Sequence, residues 1–168
     1  MTTLLVVSDV HGYMDRLRHI QTIEAVDYTV SLGDLEGPVT ALGESALVIH
    51  GNAFNDPGEP YLVREFEHFR LLFTHGHLAH VERGDHGLFR MLQTHRADIL
   101  MHGHTHAARL IEVEGGRIIN PGALSQSRSA FPESYGILTL DDSTATWTFK
   151  NLTGQVIHSD TWKKRGSL

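Results

Sequence analysis

At 168 residues the chain suits one compact domain, expected over residues 1–168, with length enough for a buried core and too little for a second one. It has no cysteine, which excludes disulfides, iron–sulfur clusters and thiolate zinc sites, so a bound metal must use oxygen and nitrogen donors, and thirteen histidines supply them. The net charge of −6 argues against a broad nucleic-acid-binding surface, no apolar run reaches the roughly 20 residues of a membrane-spanning helix, and the first residues do not read as a signal peptide; a cytoplasmic protein without a membrane partner is expected.

Residues 4–7 form the first apolar run, short enough for a buried strand. Behind it Met14, Leu17, Ile20 and Ile23 recur among polar neighbours as the stripe of an amphipathic helix, and a run at 28–32 completes a strand–helix–strand start. Runs at 46–49 and 71–73 follow, separated by Asn55-Asp56-Pro57-Gly58-Glu59-Pro60, whose composition predicts a surface loop. A helix is predicted over 86–96, with Leu88, Met91 and Leu92 buried, ahead of a strand at 99–101. From residue 110 the pattern changes to hairpins: 110–113 and 118–119 flank Glu114-Gly115-Gly116-Arg117, and 135–140 and 145–150 flank 141–144. The C-terminal third is therefore expected to be antiparallel. Lys163-Lys164-Arg165 is the only basic run and reads as a solvated tail.

Each of the five apolar runs is followed within three residues by a side chain able to hold a metal: Asp9, Asp34, Asn52, His75 and His104, with His11 and His106 two residues beyond the first and the last. In open α/β sheets ligands bind beyond the carboxyl ends of the strands, so residues scattered in sequence but placed at strand ends converge on one crevice. Glycines 12, 33, 51, 76 and 103 accompany them and permit tight turns and close backbone approach. Singly the elements are weak, since Asp9-x-His11 and Gly33-Asp34 are common turn chemistry and Gly51-Asn52 taken alone reads first as a turn with Asn in the left-handed region. His102-Gly103-His104-Thr105-His106 is more specific, because three alternating imidazoles after an apolar strand have little structural purpose. Within it, His102 has the alternative of a hydrogen-bonded core residue beside the strand.

The ordered set Asp9-x-His11, Gly33-Asp34, Gly51-Asn52, His75-Gly76-His77 and Gly103-His104-Thr105-His106 resembles the calcineurin-like metallophosphoesterase superfamily. The short length and Asn120-Pro121-Gly122-Ala123 are similar to its small bacterial and archaeal phosphodiesterase family, which also contains the retromer scaffold subunit, and the resemblance covers essentially the whole chain. It implies an α/β fold, a four-layer αββα sandwich of two mixed sheets. It also implies two divalent ions, one held by Asp9, His11, Asp34 and His106 and the other by Asp34, Asn52, His75 and His104, with Asp34 bridging. Manganese is the first choice for such donors, with zinc, iron, nickel or cobalt as alternatives.

Two ions roughly 4 Å apart clamp an attacking water and the phosphoryl oxygens, and bound cations dominate the local field even in an acidic protein. The function implied is a metal-dependent phosphodiesterase acting on a small or nucleotide-derived phosphate ester, with a phosphomonoesterase or protein phosphatase of the same superfamily as the nearest alternative. A non-catalytic protein-binding scaffold is a third reading, opposed by a ligand set in which every position is filled.

Two features depart from the wider superfamily. Ala53 follows Asn52 where many members carry His, which removes their acid for the leaving group, and residues 54–60 are unlike a compact Asn-Cys-Asp turn. His77, two residues past His75 and on the same side if the segment is extended, is the substitute catalytic acid, with a supporting or surface histidine as the alternative. Asn52 and Arg128 are the candidate substrate-binding residues; the Arg128 guanidinium matches phosphate oxygens bidentately, and a surface arginine is its other reading. Asn120-Pro121-Gly122 reads first as a rigid turn and second as a loop lining the phosphate site.

Overall fold

The run TTLLVV forms a strand buried on both faces, because Leu4 and Val6 point into one apolar layer while Leu5 and Val7 point into another. This is β1 (Thr2–Val7) of the computed structural model, which describes residues 1–166. In chain order it is followed by α1 (Met14–Ile23), β2 (Tyr28–Ser31), β3 (Ala46–Val48), β4 (Tyr61–Phe66), β5 (Phe69–Thr74), α2 (His86–Thr94), β6 (Ile99–Met101), β7 (Arg109–Val113), β8 (Gly116–Asn120), β9 (Ser134–Leu140), β10 (Thr144–Asn151) and β11 (Val156–Lys163). One sheet has the order β11-β10-β9-β1-β2-β3 and the other β4-β5-β6-β8-β7. In the first, β1, β2 and β3 run parallel and β9, β10 and β11 antiparallel; in the second, β5, β6 and β8 run parallel and β4 and β7 antiparallel at the edges.

The inner faces meet in one core that includes Leu4, Val6 and Leu32 with Leu138 and Trp147 from the first sheet, and Phe69, Leu71, Phe73 and Met101 from the second. Outside the first sheet, Leu17 and Ile20 of α1 pack on Leu5 and Val7. Outside the second, Leu88 and Leu92 of α2 pack on Leu72, Leu100 and Ile118. The result is the αββα layering that the resemblance implied. No helix among the described residues is long and apolar enough to cross a membrane.

Several expectations need correction. A stripe spaced by three residues slips about 60° per step against the helical period, so Leu17 and Ile20 are fully buried while Ile23 is 44% exposed. The antiparallel expectation for the C-terminal third fails at β8, which pairs in parallel with β6 because the hairpin inserts its second strand, not its first, beside the sheet. β4 and β11 had no sequence signal, since each is an edge strand with few buried side chains. The basic run is no free tail: Lys163 ends β11, Lys164 Nζ lies 3.2 Å from Asp98 Oδ2, and Arg165 Nη2 lies 2.8 Å from Glu112 Oε1. The loop expected at the surface also sends one side chain inward, Asp56, which is only 8% exposed.

Candidate metal centre

All seven residues singled out as ligands lie in loops that leave the carboxyl end of a strand: Asp9 and His11 after β1, Asp34 after β2, Asn52 after β3, His75 after β5, and His104 and His106 after β6. Both sheets therefore deliver to the same edge of the sandwich. Five of the seven adopt the left-handed backbone region, Asp9 at φ 51°, His11 at 46°, Asp34 at 57°, His104 at 70° and His106 at 57°. Such residues cost on the order of 1–3 kcal/mol each and cluster at functional sites. Two glycines make the approach possible: a Cβ on Gly51 would collide with the Asp34 carboxylate, and one on Gly103 with the Ser8 hydroxyl and, at 2.6 Å, with Asp9 Oδ2.

Asp9 is fully buried at the centre. Its Oδ2 accepts hydrogen bonds from Ser8 Oγ at 2.6 Å and from the His104 backbone N–H at 3.0 Å. Its Oδ1 has no hydrogen-bond donor and instead faces three imidazole nitrogens, Nε2 of His106 at 3.2 Å, of His11 at 3.6 Å and of His75 at 3.9 Å. Asp34 stands opposite, its Oδ2 3.2 Å from His75 Nε2 and 3.6 Å from His11 Nε2. Asn52 Oδ1 lies 2.9 Å from His75 Nε2 and 3.1 Å from His104 Nδ1.

The rings are aimed from behind. His75 Nδ1–H donates to the Leu32 carbonyl at 2.8 Å and His106 Nδ1–H to the Gln126 carbonyl at 2.7 Å, so each presents Nε2 to the cluster. His11 Nδ1 lies 3.3 Å from Glu36 Oε1. A backbone carbonyl or carboxylate behind an imidazole is the arrangement that fixes the tautomer and raises the basicity of a metal ligand. An orphaned buried carboxylate oxygen ringed by three oriented imidazoles, with a second carboxylate and an amide oxygen beside it, fits divalent cations of the oxygen- and nitrogen-seeking kind.

Electrostatics agree. Burial pushes the Asp9 carboxyl up, but the adjacent His106 and His11 imidazoles outweigh it and hold the group well below the usual carboxylate range. Burial likewise opposes ionisation of Asp34, and His75 outweighs it. In return Asp9 raises His11 to about 9, and Asp34 and Asp9 raise His75 against the effect of its burial. His104 goes down, through burial and then the charge of His75.

Residues 2–143 match the family described as the calcineurin-like phosphoesterase superfamily domain. The chain belongs to that superfamily. It is 33% identical over 159 residues to the probable metallophosphoesterase YsnB of Bacillus subtilis, covering 92% of this chain and 94% of that one. It is 27% identical over 173 residues to the phosphodiesterase YfcE of Escherichia coli, covering 84% and 89%. Among solved structures, a conserved uncharacterised protein from Streptococcus pneumoniae, a predicted phosphoesterase, superposes with a TM-score of 0.86 at 28% identity over 96% of this chain and 97% of that one. Membership of this superfamily, with relatives named as metallophosphoesterase and phosphodiesterase, supports a hydrolase of phosphoesters, and the carboxylate–imidazole cluster is its candidate metal-ligand group.

The remaining candidates divide. His102 stands apart from the metal cluster: it is fully buried, donates through Nδ1 to the Gly103 carbonyl at 2.9 Å and accepts from Arg109 Nη2 at 2.8 Å, and burial followed by the Arg109 charge lowers it to about 3. His77 lies at the cluster's edge, its ring 5.3 Å from that of His75 and 6.1 Å from that of His104. The route there is not an extended segment: Gly76 is left-handed at φ 108° and His77 opens a 3-10 turn, His77–Ala79. Burial and the neighbouring His75, His104 and His50 lower the His77 pKa. Arg128 is exposed and lines a cleft of about 590 Å³ together with His11, Tyr13, His106, Ser125 and Gln126. Asn120 ends β8 as a turn residue, its Oδ1 accepting from Gly122 N at 2.9 Å, and its Nδ2 also reaches Thr105 Oγ1 at 3.0 Å in the loop between the last two histidines.

Sequence reasoning missed Glu36, Arg109 and Asp56. Nothing local marks the first two. Asp56 had only one signal, an acidic residue close behind Asn52 in a loop whose composition reads as surface.

Proposed function

We propose that this chain is a binuclear-metal-dependent phosphodiesterase that hydrolyses a small or nucleotide-derived phosphodiester in the cytoplasm. The observation that carries the reading is the position of Asp34, whose one carboxylate oxygen faces both His11 of the first donor set and His75 of the second. Two divalent ions held there supply Lewis acidity for the phosphoryl group and lower the pKa of water towards neutrality. Manganese is the proposed ion, held by Asp9, His11, Asp34 and His106 on one side and by Asp34, Asn52, His75 and His104 on the other.

The chain's own groups do the rest. Asp9 and Asp34 bring the negative charge that concentrates cations at the site. The Leu32 and Gln126 carbonyls keep the proton of His75 and His106 on Nδ1, so that Nε2 stays available as a donor. Asn52 offers a neutral oxygen that does not repel an anionic substrate. Arg128, beside His11 and His106 in an open cleft, is placed to pair with a phosphate oxygen, and the cleft has room for an ester group. His77, at the cluster's edge with its ring 5.3 Å from that of His75, is the proposed proton donor for the leaving oxygen. The diester preference is supported by the phosphodiesterase name of the Escherichia coli relative.

The test pairs metal content with two substrates. Purified protein loaded with manganese is assayed on an aryl phosphodiester and the matching monoester, with and without chelator. Two ions per chain, faster diester turnover and loss of both activities on chelation are expected. Saturation at one ion would remove the binuclear reading, and a monoester preference would remove the diester one.

A further inference from the structure

The segment between Asn52 and β4 folds back on β3 and closes at its base. His50 N–H donates to the Glu59 carbonyl at 2.7 Å and Glu59 N–H to the Val48 carbonyl at 3.1 Å, and Ile49 bridges Glu59 in parallel. Gly58, left-handed at φ 110°, is the residue that lets the chain pass, because a Cβ there would meet the Val48 carbonyl at 2.5 Å. This closure turns Asp56 inward. Its Oδ2 accepts the backbone N–H of Asp34 at 2.8 Å and of Gly51 at 2.5 Å, and its Oδ1 accepts that of Leu35 at 3.2 Å. His50 Nδ1 donates to the Asp56 carbonyl at 2.6 Å and so holds the residue from the other side.

A buried carboxylate is retained only when its charge is compensated. Here three backbone donors supply that compensation, and they come from two different ligand loops. The donors of Asp34 and Leu35 sit where the backbone is left-handed at Asp34. The donor of Gly51 immediately precedes Asn52. A third link closes the triangle, since Ala53 N–H donates to Asp34 Oδ1 at 2.8 Å.

We infer that Asp56 is a positioning residue of the metal centre: one side chain gathers the backbone N–H groups of the Asp34 and Asn52 loops and thereby fixes the bridging carboxylate against the amide ligand. This rests on the binuclear reading above. Asp56 touches neither ion nor substrate in this role. It acts by removing the freedom of the two loops before a cation arrives, which raises affinity without adding a contact.

The experiment uses the full chain, stripped by chelator and titrated with Mn²⁺ by calorimetry, with electron paramagnetic resonance reporting a spin-coupled pair. Asp56→Asn keeps the volume but replaces one acceptor oxygen with a donor, so one of the three N–H groups loses its partner. Asp98→Asn is the control, since Asp98 Oδ2 likewise caps a backbone N–H, that of Arg70 at 2.7 Å, away from these loops. The inference expects Asp56→Asn to bind Mn²⁺ at least about tenfold more weakly and to lose the coupled signal at limiting metal. High Mn²⁺ should restore both the signal and turnover. Asp98→Asn should lower the thermal midpoint and leave Mn²⁺ binding unchanged. Wild-type affinity and coupling in Asp56→Asn would overturn the inference. If that variant does not fold, Asp56→Glu decides, because it keeps the charge and displaces it by one methylene: weakened Mn²⁺ binding supports the inference and unchanged binding overturns it. Failure of the wild-type protein to bind two ions is a different outcome, which removes the binuclear reading itself.

Discussion

Metal uptake by this protein should be strongly dependent on pH, and His11 sets the scale. In the metal-free protein Asp9 raises His11 from 6.5 to about 9. Because the folded-state pKa lies above the ordinary value, the stability from this pairing is complete below about 6.5 and is lost as pH rises through about 9. The same proton blocks the lone pair that a cation needs, so below about 9 each pH unit costs about tenfold in apparent affinity from this ligand alone. Between pH 9 and pH 7 the loss is therefore about 100-fold. His75, also raised, makes the dependence steeper, whereas His104, which is lowered, adds nothing at these pH values. Calorimetric titration with Mn²⁺ in buffers of different ionisation enthalpy counts the protons released. About one or more per chain at neutral pH is expected, falling towards zero above about pH 9. Glu36→Gln, which removes a smaller cause of the His11 shift, should move the inflection to lower pH. Affinity that is flat across this range, with no proton released, would refute the reasoning.

Asp34→Asn should reduce turnover far more than Asn52→Ala, because the carboxylate facing both donor sets offsets the repulsion between two cations and a neutral amide does not; equal and mild losses in steady-state assays would show that the bridge is misplaced. His77→Ala should steepen the fall of aryl diester turnover with leaving-group pKa, where a positioned acid is worth about 10² to 10⁴ in rate. An unchanged slope would assign that proton to another group. Gly136→Ala drives a methyl into the Trp147 ring and should cost about 1–3 kcal/mol in denaturant unfolding. Mn²⁺ affinity should stay the same in that variant, since Trp147 lies in the core between the sheets.

The convergence of the candidate ligands was legible because donor chemistry and strand punctuation coincide there: an apolar run, a glycine close by, and Asp, Asn or His. The expected convergence depended only on every such residue following a strand end, and the two sheets fulfil it from both sides. What was not legible depends on partners distant in sequence. Asp56 looks like turn composition until Asp34 and Gly51 are seen to donate to it, and His102 looks like a third metal ligand until Arg109 occupies its Nε2. Edge strands β4 and β11 bury too little to leave a periodic trace, and the parallel placement of β8 depends on which strand of the hairpin pairs with β6, a long-range choice that local pattern does not carry.

The bonds between the ligand loops explain how so many residues persist in a costly backbone region. Asp9 N–H donates to the Gly33 carbonyl at 3.0 Å and His11 N–H to the Asp34 carbonyl at 2.9 Å, so the first loop is held by the second. Gly103 N–H donates to the His75 carbonyl at 3.0 Å, Ser125 N–H to the Asp9 carbonyl at 3.2 Å and Arg128 N–H to the His106 carbonyl at 2.8 Å, which ties the loops of the other sheet to one another and the Arg128 segment to both. The strained loops thus satisfy one another rather than the sheets that carry them. Left-handed residues persist only where their surroundings over-determine them, and here the surroundings are the other ligand loops. A change in one loop therefore alters the support of the next, so substitutions at Asp9 and Asp34 act on one shared structure. Their effects on metal binding should couple rather than add, as groups in a single network do.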